Sequence, residues 1–302
     1  SSLQAAYEQA AAEAFKTSNG VTVNYGGGGS GKGRADLASG VVDFAGSDSP
    51  IKDEEKATFK GGDVLYFPIV VAPVTISYNL DGVKDLKLDG PTLAKIFERK
   101  ITTWNDPAIA ALNSGATLPS TAITVARRSD SSGTTDNFSK FLAASAATDW
   151  TLGTGSTIDF PADTQGGNGN SGVAQIVKST AGAIGYVDLS DAVAAGLSFA
   201  QVKNQAGSFV APTVASAEAA AAAATPKDDL TFSGIWTSAA DGYPITAQSY
   251  VLVYKNQTDK AKGQAIEDYL KYLLGDGQAT LNDLSFGQVP QAIKDKAVAQ
   301  IA

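Results

Sequence analysis

Three residue types are missing altogether: the 302-residue chain contains no cysteine, no histidine and no methionine. Without cysteine there is no disulfide, no thiolate nucleophile and no sulfur-ligated metal. Without histidine the commonest general base and metal ligand is gone as well. The absence of methionine extends to position 1, where Ser1 stands close to the first predicted helix. The chain is therefore read as the processed, soluble form of an exported protein whose signal segment has been removed. Charge is sparse and mostly of one sign: 18% of residues are Asp, Glu, Lys or Arg, and the net charge is −8. That balance argues against a nucleic-acid or anionic-membrane surface as partner. An anion bound here must be held by local donors. Long apolar runs are also lacking. The longest, Val64 to Leu80, is interrupted by Pro68, Pro73, Thr75 and Ser77, and reads as a pair of core strands rather than a membrane span.

What is present alternates between helical and strand periodicity. The length suits two domains or one large one. Leu3 to Phe15 reads as an alanine-rich helix stopped by Asn19-Gly20, and Val21 to Tyr25 as a strand. A glycine loop, Gly26 to Gly33, leads to a short helix near Arg34 to Ser39 and a second strand, Val42 to Gly46. Further helices are expected from Pro91, near Ser171, from Lys260 to Leu274 and from Gln291 to Ile301, with strands at Ala183 to Val187 and Ile245 to Tyr254. Ala217 to Ala224 reads as a solvent-backed helix, and Gly153 to Gly172 as a loop. The alternation predicts an α/β protein with mostly parallel sheets.

Three segments carry chemistry. Ile123 to Ala126 reads as a strand delivering Arg127 and Arg128 to its end, followed by Ser129 to Thr134 and a helical pattern at Phe138, Phe141 and Leu142. Strand, arginine, Ser-Gly-Thr and helix start are the parts of an anion site, because the first N–H groups of a helix have no partner within it. An ordinary helix cap explains Ser132 to Thr134 equally well. The two arginines point to opposite faces of a strand, so at most one is expected in a site. Arg128 reads either as a site residue or as an exposed strand-end charge paired with Asp130.

The second segment, Gly26 to Gly33, matches the spacing of a nucleotide phosphate loop, but Gly33 stands where that motif needs a metal-binding Ser or Thr. An oxyanion cradle around Ser30, or a plain turn, fits better. The third is Asp48, delivered by the second strand. It reads as a cap, or as the acceptor of a proton that a ligand must carry, since an ionised carboxylate only accepts. Against a fully ionised sulfate it is repulsive.

In this order, Gly29-Ser30-Gly31, Val42 to Pro50 and Arg127 to Thr134 closely resemble the phosphate-binding proteins of high-affinity phosphate ABC importers. The likeness continues through Lys100 to Asp106, Gly153 to Thr157 and Gly182 to Val187, and so covers most of the chain. The strand and Gly-x-Gly that family members usually carry ahead of the segment matching Ser1 to Leu3 are not in the sequence. The resemblance implies a two-domain periplasmic-binding-protein type II fold, with crossing strands as hinge and the ligand in the cleft. Residues 1–77 and 247–302 would form one domain and 78–246 the other. It also implies phosphate contacts from Arg128, Ser132, Gly133, Thr134 and Ser30, with Asp48 accepting the phosphate proton. Ser2 and the backbone of Leu3 would supply further contacts. The implied partners are inorganic phosphate and a membrane permease, with a monomeric, extracytoplasmic protein and no cofactor, metal or nucleic acid.

Competing readings are a phosphatase or phosphotransferase using Ser132, a nucleotide hydrolase using the glycine loop, and a binder of another oxyanion. Against the first, the nearest lysine in sequence, Lys140, lies about two helical turns from Ser132.

Overall fold

The computed structural model describes residues 1–301. Six strands form the main path of an eight-stranded sheet: Ala45–Ser47 (β1), Val64–Tyr78 (β2), Thr124–Arg128 (β3), Gln165–Gly167 (β4), Ala183–Asp188 (β5) and Ile245–Tyr254 (β6). Their spatial order is β1-β6-β2-β5-β3-β4. The pairs β1–β6, β6–β2 and β2–β5 are antiparallel, and only β5–β3 and β3–β4 are parallel. The expectation of mostly parallel sheets is thus corrected to a mixed one. Long-range pairing of β2 and β6 leaves no trace in the local alternation of helix and strand.

β2 is one strand of 15 residues, not the pair expected from its prolines. A proline gives no N–H to a ladder and is tolerated where the ladder is already interrupted. Pro68 lies beside a register shift opposite Ser249 and Tyr250, and Pro73 is the last residue paired with β6 before the strand turns to β5 at Val74. The same strand therefore serves both halves of the sheet.

Among the described residues there are eleven α-helices. Four position the site: Ala5–Asn19 (α1), Ser30–Ala38 (α2), Gly133–Ser145 (α3) and Gly169–Ser179 (α4). α1 ends where Gly20 takes the left-handed conformation at φ 72° and returns its N–H to Lys16. Its buried face meets the helix Lys260–Leu274 through Phe15 and Tyr269, with ring centroids 5.2 Å apart, and through Tyr7 Oη donating to the Leu273 carbonyl at 2.7 Å. α2 begins at Ser30, inside the expected glycine loop and earlier than the predicted Arg34.

Val21 to Tyr25 forms no strand, because no strand of the described residues lies alongside to pair with it. Together with Val42 to Gly46, of which only Ala45 onward is paired, it borders a cavity of about 770 Å³. The alanine-rich helix runs Val214–Ala222, and Ala217, Ala220 and Ala221 are fully buried. These small side chains pack one face against the sheet, while Ala215 and Ala222 leave the other open to solvent. No helix among the described residues is long and apolar enough to cross a membrane.

One aromatic group ties α3 to the sheet. Phe138 of α3 lies 4.7 Å from Phe97 and stacks on Tyr186 of β5 at 4.6 Å, centroid to centroid. Such pairs add roughly 0.5–1.5 kcal/mol beyond the burial of their area. They hold the start of α3 in line with the ends of β3 and β5.

Candidate functional site

β3 carries Arg128 to its end, where the side chain is buried. The backbone N–H of Arg128 donates to Tyr186 Oη at 3.0 Å, and the same hydroxyl is 2.8 Å from Thr135 Oγ1. One tyrosine thus fixes both the strand end and the first turn of α3. The guanidinium is held by Asp130, Nε to Oδ1 at 2.7 Å and Nη2 to Oδ2 at 2.5 Å, while Nη1 donates to Thr134 Oγ1 at 3.3 Å. Burial alone would raise the Asp130 carboxyl, but the Arg128 guanidinium outweighs it and holds the group below its ordinary range. The alternative reading of Arg128 as an exposed charge is corrected: the pair exists, but its guanidinium is buried and only Asp130 is partly exposed. Arg127 turns to the opposite face, its Nε donating to Thr164 Oγ1 at 3.3 Å.

Ser132 caps α3, its Oγ accepting the Thr135 N–H at 3.1 Å. The cap and the anion-site readings are therefore not exclusive. A capping hydroxyl still has a proton to give, and the N–H groups of Gly133 and Thr134, earlier in the turn, have no partner within the helix.

The facing wall is built by α2 and the turn after β1. Asp48 is 1% exposed, and its backbone N–H donates to Ser30 Oγ at 3.0 Å. Ser30 Oγ lies 3.1 Å from Asp48 Oδ2, Ser249 donates to Oδ1 at 2.6 Å, and Ser1 Oγ reaches both oxygens at 2.6 and 2.7 Å. The turn is braced from behind by Arg34, a fully buried side chain whose Nη1 donates to Ser47 Oγ and Ser49 Oγ at 3.1 and 2.9 Å. Glu55 balances that charge, accepting from Arg34 Nε at 2.8 Å. Burial favours the neutral Glu55 carboxyl, yet the arginine keeps it below its usual range.

The two walls are in contact. Asn137 of α3 donates to the Asp48 carbonyl at 2.8 Å, and the Gly31 N–H donates to the Ser131 carbonyl at 3.1 Å. Side chains would not fit at the closest points: a Cβ on Gly29 would lie 2.5 Å from Asp130 Oδ2. Here glycine serves close approach, not a nucleotide phosphate. Lys32, which a phosphate loop would aim at the ligand, is exposed and paired with Asp36 at 2.5 Å.

All eight residues singled out from sequence converge. Ser30, Asp48, Arg128, Ser132, Gly133, Thr134 and Leu3 are buried, and Ser2 is half-buried at the edge of the cluster. The N–H of Leu3 is engaged by Ser1 Oγ at 3.0 Å, and Ser2 Oγ accepts from Asn170 Nδ2 at 3.3 Å. Sequence reasoning did not single out Ser249, Arg34 or Asn170, which lie on regular elements without a local motif. The cluster is nearly solvent-free. A cavity of about 500 Å³ lined by Ser2, Leu3, Gly169, Asp188 and Asp191 opens beside it, whereas the larger one of about 770 Å³ lies behind the glycine loop and touches none of the donors on α3. Among the described residues no group of three or more carboxylates is arranged to hold a metal. Besides Asp130, whose oxygens are taken by Arg128 and the Gly169 N–H, the site presents donors around the Asp48 carboxylate, a geometry suited to a small oxyanion that carries a proton.

Residues 1–276 match the model of the PBP superfamily domain. The chain is 37% identical over 287 residues to the phosphate-binding protein PstS 3 of Mycobacterium leprae, covering 92% of this chain and 78% of that one. To the phosphate-binding protein PstS of Xylella fastidiosa it is 36% identical, covering 91% and 76%. Its fold is similar to that of a phosphate-bound high affinity periplasmic phosphate-binding protein, PfluDING, with a TM-score of 0.80 at 24% identity over 97% of this chain and 91% of that one. It is also similar to a phosphate-bound ABC transporter substrate-binding protein from Clostridium perfringens, with a TM-score of 0.71 at 19% identity over 96% and 97%.

Proposed function

We propose, from the premise that this chain belongs to the PBP superfamily and within it to the PstS phosphate-binding proteins, that it binds inorganic phosphate and delivers it to the permease of a phosphate ABC transporter. The observation that carries this reading is the Asp48 carboxylate, buried against the start of α3. A fully ionised oxyanion brought to the α3 N–H groups meets an acceptor there and is repelled. Hydrogen phosphate or dihydrogen phosphate donates its P–OH and is retained.

In this assignment Arg128, Ser132, Thr134 and the N–H groups of Gly133 and Thr134 donate from one wall. Ser30 donates from the other, and Ser2 with the Leu3 backbone completes the shell. The phosphate proton takes the place on Asp48 that the Ser1 hydroxyl holds. Residues 1–77 with 247–302 form one domain and 78–246 the other. The change of partners along β2 near Pro73 supports a crossing between them. Ligand bonded to both walls favours the closed form, a shift between populated states, and the closed form docks on the permease. We place the protein outside the cytoplasm, as a monomer.

A binder, not an enzyme, fits these residues. Ser132 is engaged as a helix cap, and Lys140 donates to Asp136 Oδ2 at 2.6 Å instead of facing Ser132. Isothermal titration with phosphate, arsenate and sulfate tests the reading. Tight phosphate binding with sulfate excluded is expected; equal affinities for phosphate and sulfate would overturn it.

A further inference from the structure

Thr134 Oγ1 receives two donors: Arg128 Nη1 at 3.3 Å and Asn170 Nδ2 at 3.2 Å. A hydroxyl has two acceptor positions and one proton. With both acceptor positions filled, its proton has only one use, donation to a third group. From this geometry we infer that Asn170 is a positioning residue for phosphate binding, making Thr134 an obligate donor to the anion. The inference rests on the phosphate reading of the site.

Asn170 is suited to the task in three ways. It lies in the first turn of α4 and is fully buried, so water does not compete for its amide. Gly169, its neighbour, donates its N–H to Asp130 Oδ1 at 3.2 Å, so the same turn steadies the Arg128–Asp130 pair. The amide nitrogen also donates to Ser2 Oγ at 3.3 Å, tying the beginning of the chain to α3 through one side chain. Its Oδ1, by contrast, is buried with no partner among the described residues. Leaving a buried amide oxygen unsatisfied is costly, and here only the donor end of the side chain is used. Nothing in the local sequence announces this role, because Asn170 reads as one more polar residue in a Gly- and Asn-rich loop.

The test is a double-mutant cycle on phosphate affinity, read by calorimetry, with Thr134→Val and Asn170→Ala. If Asn170 acts through the Thr134 hydroxyl, Asn170→Ala weakens binding roughly fivefold to tenfold in the wild-type background. In the Thr134→Val background it changes affinity less than twofold. Equal losses in both backgrounds would overturn the inference and leave the phosphate reading intact. A wild-type protein that binds no phosphate would overturn both. Thermal unfolding without ligand checks that each variant folds. Should Asn170→Ala fail to do so, Asn170→Ser, which keeps a small polar side chain too short to reach Thr134, serves in the same cycle.

Discussion

Gly133 and Asp48 are packed against one another: a Cβ built on Gly133 would lie 2.7 Å from Asp48 Oδ2 and closer still to Ser30 Oγ. The helix start that offers donors and the carboxylate that accepts are thus packed without even a methyl group between them. In the proposed function, selectivity and closure both depend on this contact.

Gly133→Ala should obstruct closure without unfolding the protein. The added methyl collides only when the walls meet, so the ligand-free melting temperature should change by a few degrees at most. Phosphate at about a thousand times the wild-type Kd stabilises a binder by roughly 4 kcal/mol, and in this variant most of that thermal shift should vanish. A full phosphate-induced shift would show that the contact is not required for binding.

Asp48→Asn replaces an acceptor-only group by one that also donates. Sulfate then meets a donor, so discrimination against it should fall by about fivefold to a hundredfold, the scale of one unpaired buried polar group at about 1–3 kcal/mol. Phosphate affinity should fall by less than the discrimination does. Calorimetric titration with both anions measures each change. Continued exclusion of sulfate would remove Asp48 from its assigned role.

Arg128→Lys keeps the charge but not the fork. The guanidinium bonds Asp130 through two nitrogens and Thr134 through the third, and a lysine ammonium cannot span that set. Phosphate affinity should drop about a hundredfold, on the scale of the hydrogen bonds to charged groups that are lost. Circular dichroism should remain that of the wild type.

Glu8 makes stability depend on pH. Burial in α1 pushes its carboxyl up to about 7, against the lowering effect of the Tyr269 hydroxyl, which donates to Oε2 at 2.7 Å. The folded state therefore holds this proton across a range in which the unfolded chain, near its ordinary value of 4.5, has released it. Stability from this group is complete below pH 4.5 and is lost as pH rises through about 7. Glu8→Gln removes the dependence. In urea unfolding the variant should match the wild type at acid pH and exceed it at pH ~8 by on the order of 3 kcal/mol. A constant difference across that range would contradict the assignment.

The residues read from sequence as a site sit where chain direction and chemistry coincide. Arg128 ends a strand, Ser132 to Thr134 begin a helix, and Asp48 follows a strand beside serines; each position carries a local signature. Ser249 has none, being mid-strand in β6, and it meets Asp48 only because β1 pairs with β6. Arg34 likewise has no signature beyond its place on a short helix, and its role appears only when the fold wraps the turn Ser47 to Ser49 around it. Val21 to Tyr25 shows the opposite failure. Its alternation is that of a strand, but a strand is completed by a neighbour, and alternation alone does not supply one. The prolines of β2 misled for the same reason, since their cost depends on where the ladder partners end.

β2 has a consequence for the order of assembly. Its part up to Pro73 finds its ladder in β6, whereas its end pairs with β5, made much earlier in the chain. Until Ile245 to Tyr254 exists, that half of β2 has an open edge and β1 has nothing to lie against. Contacts so distant in sequence form slowly, because loop closure precedes any gain from pairing. The strand that leads to Asp48 is made early, but its ladder partner is among the last strands to be made.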